Sequence, residues 1–251
     1  MSTYLVTGAN RGIGKAFIAA YLQRPNSTVI AAVRTPSSAK SLNDFPKADG
    51  SKLIIVKIDS FSETDPKDAV AELQKQGVDH IDFVIANAGI AGEKSTATID
   101  IIPSVARDVF NVNSIAPLLL LNATSPLLKK SNKPTFAVVS SAAGSIGIQA
   151  MFAEFPVKMS PYGASKAAVN WLVERIHLEE KWLVAISLHP GLVTTDMSAG
   201  ALPDGMDPKE FGITPLTPDE SVKQMNEVLD RATREKEGGK LVQHDGEILP
   251  W

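Results

Sequence analysis

The sequence contains no cysteine, and this absence excludes several kinds of chemistry. Without cysteine the chain has no disulfide framework, no thiolate nucleophile and no thiolate metal site. The four histidines lie far apart and lack the spacing of metal ligands; they are His80, His177, His189 and His244. The sequence therefore predicts no metal site.

A strong excess of charge and a long apolar run are also absent. The net charge is −3 and the basic residues are scattered, so the sequence shows no footprint for nucleic acid. The longest apolar run, 116–121, is interrupted by Pro117 and is far too short to span a bilayer. Thr7, Gly8 and Asn10 break up any apolar stretch that could resemble a signal peptide. We therefore expect a cytoplasmic protein without a membrane or nucleic-acid partner.

Short apolar runs rich in valine and isoleucine alternate with helix-like segments. The runs are apolar nearly throughout, which is typical of parallel strands buried on both faces. They are YLVTG (4–8), STVIAAVR (27–34), KLIIVKID (52–59), IDFVIANAG (81–89), TFAVVSS (135–141) and LVAISLHPG (183–191), with a short one near 240–244. Helices are expected at 14–23, 66–76, 103–128, 162–181 and 219–236. The alternation predicts an α/β fold, a Rossmann-type doubly wound parallel sheet of about seven strands with helices on both faces.

Nothing in the sequence divides the chain. The 251 residues fit one α/β domain, and no low-complexity linker or internal repeat is visible. The sequence predicts one domain over 1–251. The glycine- and proline-rich stretch 195–218 follows the sixth strand and is predicted to be a long loop that covers the substrate site.

The stretch TGANRGIG (7–14) runs from the first strand into the first helix. Its glycines are spaced G-x-x-x-G-x-G, so the common dinucleotide fingerprint G-x-G-x-x-G is not strictly matched. The physical need is the same, since Gly8, Gly12 and Gly14 permit a tight turn and close approach of backbone to a pyrophosphate at the helix N-terminus. A plain structural turn is the alternative. The buried-strand context favours a dinucleotide site.

The end of the second strand indicates which dinucleotide is bound. NAD sites place an acidic residue there for the ribose 2′-hydroxyl, whereas an arginine accommodates a 2′-phosphate. This strand ends with Arg34 and no acid, and Arg11 lies inside the glycine loop. Two guanidinium groups suit a phosphate dianion. The two arginines favour NADP(H), the alternative being that both are ordinary surface residues.

The stretch SPYGASK (160–166) places Tyr162 four residues before Lys166. That distance is about one helical turn, so the two side chains lie on the same face of a helix. Alone, this spacing is weak evidence, because a tyrosine four residues before a lysine occurs by chance in many helices.

Seven motifs in order resemble the short-chain dehydrogenase/reductase family, and the resemblance covers essentially the whole chain. They are TGANRGIG (7–14), Asp59 after the third strand, NAG (87–89), NVN (111–113), SSAAG (140–144), YGASK (162–166) and PGLVTTDM (190–197). The stretches LTPDESV (216–222) and DGEILPW (245–251) are similar to the single-domain NADPH carbonyl reductases of the C-factor, sniffer and norsolorinic-acid-ketoreductase-like group.

The resemblance implies a catalytic tetrad of Asn113, Ser141, Tyr162 and Lys166. It also implies a set of cofactor-binding residues. These are Gly8, Asn10, Arg11, Gly12, Ile13, Gly14, Arg34, Asp59 (at the adenine), Asn87, Ala88, Gly89, Tyr162, Lys166, Pro190, Gly191, Val193 and Thr195 (with Val193 at the nicotinamide carboxamide).

The tetrad has a clear chemical logic. Reducing a ketone requires a proton at the developing alkoxide, and Tyr162 is expected to supply it. A free phenol titrates near pH 10, and we expect Lys166 to lower the pKa of Tyr162 by favouring the phenolate. Ser141 would donate to the substrate oxygen, and Asn113 would hold a water that connects Lys166 to solvent. Ser141 could instead only cap the strand end, and Asn113 only satisfy helix backbone.

The interval between Ser141 and Tyr162, 162 − 141 = 21 residues, is longer than is usual in the family. The segment 146–160 carries four large apolar residues, Met151, Phe152, Phe155 and Met159. Such side chains near a site suggest an apolar wall for a bulky substrate. Packing on the domain itself or on a neighbouring subunit is the alternative.

These features predict an NADPH-dependent oxidoreductase that reduces a ketone or aldehyde to an alcohol, with Tyr162 as proton donor and a bulky apolar substrate. An alcohol dehydrogenase working in the oxidative direction, a lyase or isomerase on the same fold, and an NADPH-binding sensor without turnover remain open alternatives. The family often forms homodimers or homotetramers, so either assembly is compatible with the sequence.

Overall fold

The strands of the described residues form one sheet in the order β3-β2-β1-β4-β5-β6-β7-β8. The structure, a computed structural model, describes residues 1–92, 97–153, 157–201 and 205–251. The strands are β1 (Ser2–Thr7), β2 (Ser27–Val33), β3 (Lys52–Lys57), β4 (Phe83–Ala86), β5 (Thr135–Val139), β6 (Val184–His189), β7 (Leu241–Gln243) and β8 (Ile248–Leu249). The first seven are parallel, and β8 pairs antiparallel with β7. The predicted doubly wound parallel sheet is confirmed, with β8 as an unpredicted addition at one edge.

Helices cover both faces of this sheet. They are α1 (Gly12–Leu22), α2 (Asp65–Lys75), α3 (Pro103–Phe110), α4 (Ala116–Leu128), α5 (Tyr162–Glu179), α6 (Asp196–Ala201) and α7 (Pro218–Arg231). Apolar side chains of α1 and α7 pack on one face. Those of α2, α4 and α5 pack on the other. Strand β2 is buried at every position, as its continuous apolar sequence predicts.

The predicted single helix over 103–128 is wrong in its middle. Residues Asn111–Ile115 form one π-helical turn between α3 and α4, and the amide of Ala116 bonds to the carbonyl of Asn111 five residues back. Pro117 explains the change, because it has no amide to bond to the carbonyl four residues earlier, and its ring would clash there. The widened turn contains Asn113.

The predicted loop at 195–218 is only partly irregular. It contains α6 and a 3₁₀ turn at Pro208–Phe211, and residues 202–204 lie outside the described residues. Helix α6 begins where the Thr195 and Ser198 side chains cap each other's backbone amides, at 3.0 and 3.3 Å. Capping by these two hydroxyls therefore starts a short helix within the segment that was expected to be a loop.

The last helix ends earlier than predicted, at Arg231 rather than 236. Its start is fixed by a capping box in which Thr217 and Glu220 bond to each other's backbone amides. Within the described parts of the chain, none of the helices is long and apolar enough to cross a membrane.

The order of the strands determines where a ligand can bind. Strand β1 pairs with β2 on one side and with β4 on the other. The strands that follow β3 are therefore added on the opposite side of β1, and the strand order reverses between β1 and β4. In open parallel sheets a ligand binds beside such a reversal, at the carboxyl ends of the strands. The glycine loop leaves β1 at this point, and Ser141, Tyr162 and Lys166 of the predicted tetrad lie around the end of β5, which pairs with β4.

Candidate active site

The glycine loop packs closely against the end of β4. Gly8 and Gly12 have positive φ angles of 63° and 51°, a region that favours glycine. A Cβ on Gly14 would lie 2.3 Å from the carbonyl oxygen of Gly8 and 2.6 Å from Nδ2 of Asn87. Gly8 and Gly14 therefore allow the loop to fold tightly on itself and against the end of β4.

Asn87 and Thr7 hold the loop and the end of β4 together. The Asn87 side chain donates to the Thr7 carbonyl at 2.9 Å, and the Thr7 hydroxyl accepts from the amides of Asn87 and Ala88, both at 3.0 Å. This network gives Asn87 a supporting role in addition to the predicted cofactor contact. Asn10 is half-buried within the loop, and Ile13 packs partly against the core.

A small cleft lies beside β4 at the predicted adenine position. Its lining includes Asp59 and Ala88, as expected, and also Val112 and Ile58. The Asp59 carboxylate accepts a hydrogen bond from the Phe61 amide at 3.0 Å. Val112 and Ile58 were not predicted to line this cleft, because apolar residues of core type carry no local signal for a ligand site.

The two predicted phosphate-binding arginines are both exposed. Arg34 follows β2, and no ion pair or hydrogen bond of its side chain is found among the residues that the structure describes. Arg11 lies 3.7 Å from Asp196, the first residue of α6. Both members of this pair are largely exposed, so the contact contributes little to stability and leaves Arg11 available to an anion.

The turn after β6 returns to the glycine loop. Gly191 has a φ of 79° and packs against His244, and the preceding carbonyl of Pro190 accepts from Ser221 at 2.7 Å. Val193 forms a bridge to Leu216. A Cβ on Gly12 would touch the Thr195 side chain at 3.3 Å, so the turn closes against the glycine loop. The structure thus brings predicted residues that follow the fourth and sixth strands into contact with the glycine loop. The glycines of this loop and the exposed guanidinium groups of Arg11 and Arg34 fit the phosphates of a dinucleotide.

Helix α5 runs against the turn at Ala142–Gly144 that follows β5. A Cβ on Gly144 would lie 2.6 Å from the carbonyl carbon of Lys166. A Cβ on Gly163 would lie 2.8 Å from the carbonyl oxygen of Ala143. Both glycines are needed for this close approach, which places Tyr162 and Lys166 beside Ser141.

The half-buried Tyr162 and Ser141 interact through their hydroxyl groups, which we call the hydroxyl pair. Burial raises the pKa of the Tyr162 phenol, and a hydrogen bond with the Ser141 side chain acts in the opposite direction. Ser141 also begins the Ala142–Gly144 turn, where its Oγ accepts from the Ala143 amide at 3.2 Å. From this one position Ser141 caps the turn after β5 and interacts with Tyr162. Both expectations for Ser141 are therefore compatible with the structure.

Lys166 is 4% exposed, and its Nζ donates to the carbonyl oxygen of Val139 at 2.8 Å. Burial lowers the pKa of Lys166 to about 8. Its Nζ lies 5.6 Å from the centre of the Tyr162 ring. The expectation that Lys166 lowers the pKa of Tyr162 is wrong for this structure, because the ammonium is directed to the strand carbonyl and burial of the phenol dominates.

Asn113 is fully buried in the π-helical turn. Its Nδ2 donates to the carbonyl of Ile90 at 2.9 Å and to Oγ of Ser165 at 3.0 Å, while its Oδ1 accepts from the Ile90 amide at 2.9 Å. Ser165 lies on α5, so Asn113 joins the segment after β4 to α5. The side chain therefore has a structural role, and the predicted link to Lys166 through water remains a prediction.

Asn170 was not identified from the sequence. It lies on α5 two turns after Tyr162 and accepts a 2.5 Å hydrogen bond from Ser140, the neighbour of Ser141. Positions 162, 166 and 170 share one helix face and bind residues 141, 139 and 140 in turn. Only the i, i+4, i+8 spacing could have indicated this third contact.

The segment 146–160 is partly described. Gln149 donates to the carbonyls of Ala143 and Ser145, and Met151 is 78% exposed. Phe152 is half-buried, and the Met159 carbonyl accepts from the Gly163 amide at 2.6 Å. Phe155 lies outside the described residues. Across the described ranges, no group of three or more His, Asp or Glu side chains is placed to hold a metal ion.

This chain belongs to the short chain dehydrogenase family, whose sequence pattern it matches over residues 2–204. It is an oxidoreductase of that family, and its relatives include ketoreductases and carbonyl reductases.

Two fungal proteins and one solved structure illustrate the relationship. The chain is 41% identical to the short-chain dehydrogenase RED3 of Pyricularia oryzae, covering 100% of this chain and 98% of that protein. It is 42% identical to the norsolorinic acid ketoreductase nor1 of Dothistroma septosporum, covering 100% and 92%. The NADPH-bound carbonyl reductase from chicken fatty liver superposes with a TM-score of 0.84 at 31% identity, covering 100% of this chain and 99% of the other.

The buried charge of Lys166 makes stability depend on pH. Its pKa is about 8 in the folded protein and 10.5 for a solvated lysine side chain, so between these values the unfolded chain binds more protons and stability rises with pH. We expect the free energy of unfolding of the wild type, relative to Lys166→Met, to increase by at most about 3 kcal/mol over this window. Urea unfolding of both proteins at several pH values from pH 8 upward measures the difference. Parallel pH curves for the two proteins would show that Lys166 does not titrate in this range.

Proposed function

We propose that this protein is an NADPH-dependent reductase of ketones or aldehydes, with Tyr162 as the proton donor. The observation that carries the proposal is the Tyr162–Ser141 hydroxyl pair, which lies at the carboxyl end of β5, on the same edge of the parallel sheet as the glycine loop that follows β1. The glycine loop and Arg34 would hold NADPH, which would supply the hydride for the carbonyl carbon. The residues around it supply the proton and fix the carbonyl oxygen.

Each residue of the tetrad has a separate role in the rest of the reaction. Tyr162 is protonated at neutral pH, as a phenol with an ordinary or a raised pKa is, and can donate to an oxygen that gains negative charge. Ser141 presents a second hydroxyl at the same point and can donate to that oxygen. Lys166 carries a cation that burial has made acidic enough to exchange protons near pH 8. Asn113 holds α5 in position through Ser165.

The charges at the adenosine end favour NADPH over NADH. Arg34 follows β2, where NAD-binding chains carry an acid, and its exposed guanidinium is free for a 2′-phosphate. Arg11 adds a second cation from the glycine loop. The NADPH-bound chicken carbonyl reductase, which superposes over the whole chain, supports the same choice.

A bulky apolar substrate is supported by two observations. Ile146 and Met151, both on the segment between Ser141 and Tyr162, are 75% and 78% exposed. The relative from Dothistroma septosporum is named for reduction of norsolorinic acid. The same residues serve alcohol oxidation, so the favoured direction is set by cofactor and substrate concentrations.

Removing the phenol hydroxyl should abolish reduction and spare cofactor binding. We expect Tyr162→Phe to lower kcat for reduction of aromatic ketones by at least about a hundredfold, the contribution typical of general acid catalysis. The rate of NADPH oxidation, followed by its absorbance, measures the loss. Tyr4→Phe is the matched control, because the Tyr4 hydroxyl contacts Arg24 in the core, far from the site. Full activity of Tyr162→Phe would remove Tyr162 as the acid, and tight NADPH binding by a wild type without turnover would favour the sensor.

Arg34 should discriminate between the two cofactors. We expect Arg34→Ala to weaken NADPH binding by roughly tenfold to a hundredfold, because a charge-assisted hydrogen bond to the 2′-phosphate is lost, and to leave NADH binding unchanged. Arg175→Ala is the control, since Arg175 is a half-exposed arginine paired with Glu179 on α5. Titration of cofactor fluorescence gives both dissociation constants. An equal loss for both cofactors would contradict a 2′-phosphate contact.

A further inference from the structure

We infer that the last two residues of the chain, Pro250 and Trp251, brace the segment between Ser141 and Tyr162 and thereby help to determine which carbonyl compounds fit. The inference rests on the proposed function for its substrate. The two residues are positioning residues, because they do not themselves belong to the hydroxyl pair or the cofactor cleft. We call Pro250 and Trp251 the tail.

Two hydrogen bonds join the tail to the start of this segment. The Ser145 hydroxyl donates to the Pro250 carbonyl at 2.5 Å, and the Gly147 amide donates to the Trp251 carbonyl at 2.5 Å. Ser145 is fully buried, so its hydroxyl needs this partner. A Cβ on Gly147 would lie 2.9 Å from the Trp251 oxygen and 3.2 Å from Cβ of Pro250. The tail and the segment are thus in direct backbone contact.

The other end of the tail is fixed to the sheet. Strand β8 leads directly into the tail and pairs with β7, which in turn pairs with β6. A tight turn between β7 and β8 is closed by the Gln243 amide, which donates to the Glu247 carbonyl at 2.7 Å. In this turn His244 packs against Gly191, in the predicted cofactor turn after β6. The tail therefore connects the edge of the sheet, and the turn after β6 that contacts His244, to the segment between Ser141 and Tyr162.

The braced segment, which follows Ser141 in the chain, carries exposed apolar side chains. Gln149 folds the segment back by donating to the carbonyls of Ala143 and Ser145, at 3.0 and 2.7 Å. Exposed Ile146 and Met151 lie on either side of Gln149. Movement at Ser145 and Gly147 would therefore displace this apolar surface relative to Ser141, while the contacts of α5 with β5 would remain.

Ending the chain at Leu249 tests the brace. Loss of both carbonyl partners should make the Gly147 amide exchange with deuterium at least about fivefold faster. It should raise KM for a bulky aromatic ketone at least about fivefold relative to a small aliphatic ketone, with little change in kcat or in NADPH affinity. Trp251→Ala is the matched control, since it keeps the main-chain oxygen, and it should retain protection of the Gly147 amide.

Ser145→Ala provides a second variant should the truncated protein fold poorly. It removes one of the two bonds and should shift the KM ratio in the same direction by a smaller factor. Unchanged exchange at Gly147 in the truncated protein, or the same loss in Trp251→Ala as in the truncation, would overturn the brace. The exchange measurement needs no turnover, so a wild type that fails to reduce ketones would refute the proposed function while the brace is still tested.

Discussion

The backbone of α5 lies so close to the turn after β5 that a methyl group has no space between them. Gly144 provides this closeness on the turn and Gly163 on the helix. Because of it, one face of α5 meets the end of β5 three times, through Tyr162, Lys166 and Asn170. Asn113 then joins the same helix to the segment after β4. The positions of Tyr162 and Lys166 relative to Ser141 depend on this one helix–turn contact.

The contact places two ionisable side chains where burial disfavours their charged forms. Burial lowers the pKa of Lys166 and raises that of the half-buried Tyr162. At neutral pH the Lys166 shift is a cost to folding that an apolar residue would avoid, whereas the Tyr162 shift costs nothing until the phenol of the unfolded chain ionises near pH 10. Such local conflicts are common at functional sites, where strain or desolvation is offset by packing elsewhere. The two fully packed faces of the sheet supply that packing.

The parallel sheet, the glycine loop and the Tyr162–Lys166 pair could be predicted because each has a local pattern, namely continuous apolar strands, glycine spacing and a one-turn interval. Predicting the π-helical turn around Asn113 would have required noticing that Pro117 has no amide to donate to the carbonyl four residues earlier. The effect of Lys166 on Tyr162 was predicted wrongly because spacing shows which residues share a face, and does not show which acceptor a flexible ammonium takes. Asn170, Ser145 and the tail depend on contacts 30 to 105 residues apart, which no local pattern reveals.

The Tyr162–Ser141 hydroxyl pair is the central claim, and a direct titration of the phenol tests it. The chain has three tyrosines, so labelling tyrosine with ¹³C at Cζ gives three resonances, and Tyr162→Phe identifies the one of interest. We predict that Tyr162 titrates above pH 10 in the wild type, because burial raises its pKa, and higher still in Ser141→Ala, because the opposing hydrogen bond is lost. A Tyr162 pKa below 10, or one that Ser141→Ala leaves unchanged, would contradict the account.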